Sequence, residues 1–197
     1  MKKSTLITLA CVALGLIIIF GWFFGGYNDL VSKQEAVNSQ WAQVENVYQR
    51  RADLIPNLVE TVKGVANFEK GTLTAVIEAR AKATQVKVDP TNMTAAQLQN
   101  FQQTQDGLSS SLSRLMVVVE RYAELKGTQN FSTLQAQLEG TENRCTVERQ
   151  KFNEVAQDYN IYRRVFPRSI IAGICGFQQK PYFQAQAGAA TAPKVQF

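Results

Sequence analysis

Residues 27–62 decide the fold, and they read YNDLVSKQEAVNSQWAQVENVYQRRADLIPNLVETV. Alternating steps of three and four residues trace one seam through them: Tyr27, Leu30, Gln34, Val37, Trp41, Val44, Tyr48, Arg51, Ile55, Leu58 and Val62. A period near 3.5 is typical of long helices that pack at shallow angles in a bundle or coiled coil. The same seam continues to Val86, which predicts a helical first segment over residues 27–87.

Two further segments, residues 98–122 and 131–166, carry the same kind of seam. Asp89-Pro90 ends the first segment, and the spacing of Thr94 and Gln97 predicts a capping box at the start of the second. The short connections between segments favour antiparallel neighbours. After the stretch 27–53, which follows the anchor, we predict helices over residues 54–87, 95–126 and 133–166. Phe166-Pro167 ends the last of them.

Pro56 is the one internal breaker of the first segment. Asp53 could cap a new helix with Pro56 in its first turn, which would divide the segment in two. The heptad phase runs through the proline without a slip, so we predict a single kinked helix. The predicted fold class is all-α: an antiparallel bundle of three to four long helices, the first kinked near Pro56 and continuous with an N-terminal transmembrane helix.

The N-terminal 26 residues predict a membrane anchor. Leu6–Phe24 is uncharged, and at about 1.5 Å per residue it covers roughly 28 Å, close to the thickness of bilayer hydrocarbon. A cleaved signal peptide would end in small residues, whereas this run ends in aromatic ones; a lipoprotein cysteine at Cys11 is the other alternative. The predicted divisions are 1–26, the anchor, 27–183, the bundle, and 184–197, a loose tail.

The charge pattern bears on orientation and on partners. The chain holds 21 Lys+Arg and 16 Asp+Glu, and residues 27–166 are neutral overall. Lys2 and Lys3 favour a cytoplasmic N-terminus, which would place the bundle outside the cytoplasm, in the periplasm of a cell with an outer membrane. Because the bundle segment has no basic stripe, we predict that it binds no nucleic acid.

The residue inventory argues against catalysis. The chain has no histidine, which removes the commonest general base and metal ligand. Cys11, Cys145 and Cys175 are far apart in sequence, so a metal centre is not expected. Carboxylates such as Glu142 and Glu148 stand without a nucleophile or an oxyanion device. We therefore predict a non-enzymatic protein without cofactor or metal.

The seam over residues 27–53 needs a covering partner. The candidates are the C-terminal segment folding back, a true fourth helix broken at Pro56, or other copies of the chain. We predict homo-oligomerisation, with self-association through Tyr27, Leu30, Val37, Trp41 and Val44.

Polar residues at seam positions have two interpretations. They are Gln34, Arg51, Glu69, Gln105, Thr141 and Glu148. Such residues fix register in helical bundles at some cost in stability, or they form a ligand site in the bundle core.

The apolar stretch that begins at Ile170 is too short to cross a bilayer. It either caps the bundle end or lies at the membrane interface beside the anchor. In the second case, Arg168, Lys180, Tyr182 and Phe183 would face the lipid headgroups.

Several long motifs resemble the LemA family. They are RRADLIPNLVETVKG at 50–64, LEGTENR at 138–144, FPRSIIAG at 166–173 and GFQQKPYF at 176–183. The resemblance implies a bacterial single-pass membrane protein with a long-helix bundle and no catalytic residues. It also implies companionship with other membrane proteins, including metallopeptidases, and one branch of the family is associated with magnetosome membranes. Residues 65–68 read VANF, where the family more often has a tyrosine and a histidine.

The function predicted from these observations is a self-associating scaffold in the bacterial inner membrane that organises or shapes the membrane and contacts lipid through residues 6–24. The alternative is an adaptor or sensor for another membrane protein such as a metallopeptidase. The polar seam or partner motif consists of Arg50, Arg51, Asp53, Asn57, Lys63, Glu142, Arg144 and Glu148.

Overall fold

The structure is a computed structural model that describes residues 3–64 and 69–185. Every regular element in these ranges is a helix, so the all-α prediction is confirmed. The helices are α1 (Lys3–Lys63), α2 (Lys70–Gln85), α3 (Ala95–Val119), α4 (Ala123–Lys126), α5 (Gln129–Arg164) and α6 (Arg168–Ile174).

The four long helices alternate in direction, as in an up-and-down bundle. Lys33 and Arg51 of α1 pair with Asp158 and Glu142 of α5, so these two helices run antiparallel. The side chain of Arg80 in α2 reaches back to the carbonyl of Ala52, and α3 then runs antiparallel to α2. We call the end of the bundle next to residues 6–24 the proximal end, and the opposite end the distal end.

The prediction that one helix continues through Pro56 is confirmed, but its extension to residue 87 is wrong. α1 passes through Pro56 and ends at Lys63, and α2 begins at Lys70 and folds back along α1. The heptad phase is the same in α1 and α2 because both helices bury apolar residues in the same distal core, among them Val62 and Val76. A heptad seam therefore reports a buried face and does not by itself establish that one helix is continuous.

Pro56 has a structural consequence where it stands. Proline lacks an N–H group, so the carbonyl of Ala52, four residues earlier, loses its helical donor. Arg80 supplies the replacement, since its Nε donates to that carbonyl oxygen at 2.8 Å. The proline thus creates the acceptor to which α2 docks.

The remaining helix boundaries agree in part with the sequence. The capping box at Thr94 is present, because its hydroxyl accepts from the Gln97 amide and the Gln97 side chain accepts from the Thr94 amide. α3 ends at Val119, earlier than predicted, and α4 is a separate short turn of helix. α5 begins at Gln129 under a Thr128 cap, so it starts four residues before the predicted helix.

The core consists of two clusters of buried residues. The proximal core includes Leu30, Val37, Trp41, Val44, Phe101, Phe152, Tyr159, Ile171 and Phe183. The distal core includes Ile55, Leu58, Val62, Leu73, Val76, Leu108, Leu115, Phe131 and Leu138. In the proximal core, the Trp41 ring centre lies 5.2 Å from that of Phe101 and 5.6 Å from that of Phe152.

Residues 177–184 form an extended strap that runs from the proximal end back up the bundle. Phe177 packs against Tyr27, and Phe183 stacks on Trp41 with ring centres 6.1 Å apart. Together with α5 and the start of α3, the strap covers the seam of α1 within one chain. Of the three candidates for that cover, the C-terminal segment does fold back, and it covers part of the seam.

This cover removes the reason for assigning self-association to the seam. Leu30, Val37, Trp41 and Val44 are at most 1% exposed, and only Tyr27, at 39%, reaches the surface. A second copy could contact the four buried residues only if the proximal core opened. That residue assignment is therefore corrected. The loose tail predicted over 184–197 lies outside the described residues from position 186 onward.

Candidate functional site

A buried arginine joins three helices where the two cores meet. Arg51 of α1 is 1% exposed, and its Nη1 donates to Ser109 of α3 at 2.8 Å and to Glu142 of α5 at 2.5 Å. Its Nη2 donates to the Gln105 side chain of α3 at 2.5 Å. We call Arg51, Gln105, Ser109 and Glu142 the Arg51 layer.

The geometry of the Arg51 layer favours the register interpretation over a ligand site. The charge of Arg51 is balanced by Glu142, and its guanidinium lies 4.9 Å from the ring centre of Tyr48. Gln105 also donates to the carbonyl of Ala83, which adds α2 to the network. Two of the three guanidinium nitrogens are thus occupied by the chain itself, and a one-turn slip of any helix would separate them. The layer holds four helices in one register.

A shallow groove of about 190 Å³ opens beside the Arg51 layer. Glu142 is half exposed there, while Leu112, Met116 and Leu138 supply its apolar wall. Among the described residues, no three His, Cys, Asp or Glu side chains form a group that could hold a metal ion.

The rest of the predicted polar motif does not converge on this layer. Arg50, Asp53 and Asn57 lie on the exposed side of α1, and Asp53 accepts a hydrogen bond from Gln49 at 2.7 Å. Lys63 pairs with Glu60 at 2.8 Å within its own helix. These residues form a solvated surface, so the motif divides into a buried part and an exposed part.

The two remaining motif residues lie along α5. Arg144 is exposed. Glu148 accepts from Gln40 of α1 at 2.6 Å and from Lys151 at 2.8 Å, and the hydrogen bond from Lys151 lowers the pKa of Glu148. Glu148 thus links α1 to α5 about two turns from the Arg51 layer.

Sequence reasoning missed a second polar cluster next to the layer. Arg149 of α5 donates to the hydroxyl of Tyr48 and pairs with Asp106 of α3 at 3.1 Å. Burial raises the pKa of Tyr48 well above its ordinary value. Tyr48 is one of the seam positions in the sequence, and no spacing rule points to its polar partners.

The strap is held by three amide side chains that sequence reasoning also missed. Asn160 bonds both backbone groups of Lys180, at 2.8 and 2.9 Å. Asn153 does the same for Phe183, and Gln102 for Gln184. Each side-chain amide donates from its nitrogen to the backbone carbonyl and accepts at its oxygen from the backbone N–H, which imitates a neighbouring strand. The available signal was that Asn153 and Asn160 stand seven residues apart, on one face of α5.

Lys180 is buried under the strap rather than exposed to headgroups. It is 3% exposed, and its Nζ donates to the carbonyls of Pro90 and Thr91 at 2.6 and 2.8 Å. Burial lowers the pKa of Lys180. Phe183 is 7% exposed, so two of the four residues assigned to a membrane-facing surface belong to the core.

The proximal end connects the bundle to the apolar part of α1. Ile171 of α6 is buried against Gly26, so closely that a Cβ there would lie 2.6 Å from the isoleucine Cδ1. Phe23 packs against the same core. One described helix, α1, is long and apolar enough to cross a membrane. These features define a class: an up-and-down helical bundle built directly on an apolar helix of membrane-spanning length.

This chain belongs to the LemA family, whose model matches residues 40–197. It is similar to magnetosome protein MamQ 2 of Paramagnetospirillum magneticum, with 26% identity over 80% of this chain and 64% of that protein. MamQ of Magnetospirillum gryphiswaldense is 24% identical over 89% of this chain and 71% of its own length. Protein LemA of Metamycoplasma hominis is 21% identical, with coverages of 85% and 73%. The chain spans 64% of the length of the first of these relatives. Fold and relatives together fit a membrane-anchored helical protein.

Proposed function

We propose that this chain is a non-catalytic scaffold, anchored once in the bacterial inner membrane, whose rigidly mounted bundle organises or shapes that membrane. The observation that carries the proposal is the continuity of α1 from the apolar segment into the bundle. Lys2 and Lys3 support a periplasmic bundle through the positive-inside rule.

The continuity of α1 matters because it fixes the bundle relative to the bilayer. The helix has 61 residues and is about 90 Å long at 1.5 Å per residue. Its junction is braced from the side, since Tyr162 of α5 donates to Asp29 and Lys33 pairs with Asp158, both at 2.5 Å. A tethered enzyme or adaptor can work on a flexible linker, whereas a scaffold must transmit the orientation of its domain to the membrane.

Association between copies, which a scaffold needs, would use the outer surface or the membrane segment. The proximal seam is occupied by α5 and the strap, so it is not available without unfolding. The resemblance of the chain to proteins named for magnetosomes supports a role at membranes.

The test separates rigid mounting from simple anchoring. A flexible Gly-Ser insert and a helical Ala-rich insert, each of about two helical turns, are placed between Phe24 and Gly25. Both leave the contact of Gly26 with Ile171 inside the bundle. The three proteins are reconstituted in vesicles whose size and shape are measured by electron cryomicroscopy.

The proposal expects the natural chain and the helical insert to change vesicle shape, and the flexible insert to lose the effect while its bundle stays folded by circular dichroism. Equal remodelling by all three proteins contradicts rigid mounting. If none of them alters the vesicles, the scaffold role is refuted and a search for a partner by crosslinking in native membranes becomes the next step.

A further inference from the structure

We propose that the outer face of the α5–α6 turn binds the headgroup region of an anionic lipid bilayer. This surface, the elbow face, consists of Phe166, Ile170 and Ile174 with Arg164 and Arg168 beside them. The three apolar side chains are 76%, 50% and 72% exposed, and they recur every four residues. Exposed apolar side chains grouped in this way mark interaction surfaces.

The elbow face lies at the depth where the anchor leaves the hydrocarbon. Ile171, on the inner side of α6, packs against Gly26, and Phe23 joins the same core. Since the run of large apolar side chains in the anchor ends at Phe24, α6 is level with its last turn. A short helix that buries one face on the anchor and exposes a second apolar face at this level fits the interfacial zone of a bilayer.

The charges around the elbow face match an anionic membrane surface. Arg163, Arg164 and Arg168 lie within six residues, and the sequence contains no acidic residue after Asp158. Arg168 is positioned 4.1 Å from the Tyr162 ring centre, and Arg164 is exposed. Basic residues near a membrane surface are attracted by anionic lipid headgroups.

A bilayer explains these features better than a protein partner does. A bilayer supplies hydrocarbon and phosphate together at this height, and lipid already surrounds the anchor next to α6. The inference rests on the anchor in the proposed function and is independent of the scaffold role. The two alternatives for this stretch, capping the bundle or meeting the membrane, thus apply to different faces of α6. Ile171 and Ala172 cap the core, and the opposite face meets lipid.

The experiment uses tryptophan fluorescence of the full chain in vesicles that contain brominated lipids. Trp22→Phe removes the anchor fluorophore, and Trp41 remains as a buried background at 1% exposure. Phe166→Trp reports on the elbow face. Val117→Trp is the matched control, because Val117 is 71% exposed but lies near the distal end of α3. Bromine is placed near the headgroup end of the acyl chains, in vesicles with and without phosphatidylglycerol.

We expect the reporter at 166 to lose emission to the brominated lipid, more strongly with phosphatidylglycerol, and the reporter at 117 to keep its emission. A reporter at 166 that is quenched no more than the one at 117 overturns the inference. The natural chain, which keeps Trp22, tests the membrane anchor separately. If Trp22 is not quenched, the apolar segment of α1 does not lie in the bilayer.

Discussion

The docking of α2 on α1 gives the sharpest energetic prediction. Arg80 donates to the carbonyl of Ala52, which is 3% exposed and which Pro56 leaves without a helical donor. Arg80→Met should therefore destabilise the bundle through an unpaired buried carbonyl, while most of the side-chain volume is kept. Hydrogen bonds from charged donors contribute about 1.5–3 kcal/mol, and because Arg80 is only half-buried we expect about 1.5 kcal/mol.

Pro56→Ala supplies the second arm of a double-mutant cycle. The new amide at position 56 can donate to the Ala52 carbonyl inside α1, so Arg80 loses its unique role. In this background, Arg80→Met should cost no more than about 0.5 kcal/mol, as at an ordinary surface position. The expected coupling between positions 56 and 80 is thus about 1 kcal/mol.

The assay is thermal unfolding of the full chain in nanodiscs, followed by circular dichroism. At this chain length, about 1 kcal/mol corresponds to roughly 2–4 °C in the midpoint. Arg114→Met, at an exposed arginine of α3, is the control for loss of a surface charge. An equal cost of Arg80→Met in both backgrounds would refute the reasoning, since the arginine would then act independently of the proline.

Three further predictions follow from the strap and the buried titratable groups. Asn160→Leu removes the partners of both backbone groups of Lys180; it should cost about 2 kcal/mol or more and speed chymotryptic cleavage after Phe183 of the strap, followed by mass spectrometry. Burial raises the pKa of Cys145 to about 11, so iodoacetamide at pH 8 should modify exposed Cys175 and spare Cys145 until the chain unfolds; equal rates would contradict the proximal core. Burial also raises the pKa of Tyr48, so both groups keep their protons longer in the folded chain than in the unfolded one. The stability contributed by Cys145 and Tyr48 should be complete below pH 9 and fall as the pH rises from 9 to about 11, a trend that urea midpoints measure and that Cys145→Ala should weaken.

The fold could be predicted from the sequence where periodicity carries the information. Leu30, Val37, Trp41 and Val44 are buried as the seam indicates, and the capping box at Thr94 is formed. Periodicity marks a buried face without identifying what covers it. For that reason the sequence could suggest self-association where the structure shows α5, the start of α3 and the strap.

The strap could not be predicted because it has no period of its own. Its backbone is bonded by side chains such as Asn153 and Asn160, which stand in the sequence far from the residues they hold. The position at which the chain reverses between α1 and α2 could not be predicted for a related reason. Pro56 looks like the place for a break, yet the helix continues through it because Arg80, distant in sequence, satisfies the freed carbonyl of Ala52.

The sequence identified residues of the candidate site but did not predict which of them pair with one another. Arg51 and Glu142 were both singled out, but their pairing depends on the register of α1 against α5 across 91 residues of sequence. Spacing along one helix cannot supply that register. It also cannot distinguish Arg51, which faces inward, from Arg50, which is exposed.

The central claim is that α1 crosses from the membrane segment into the bundle without a break. Hydrogen–deuterium exchange of the full chain in nanodiscs tests it most directly, with peptides that cover residues 20–35. The account predicts slow exchange throughout this range, including the amides of Gly25 and Gly26, because both lie inside α1 and Gly26 also packs against Ile171 of α6. A fast-exchanging gap between the apolar run and Leu30, with protected peptides on both sides, would contradict it.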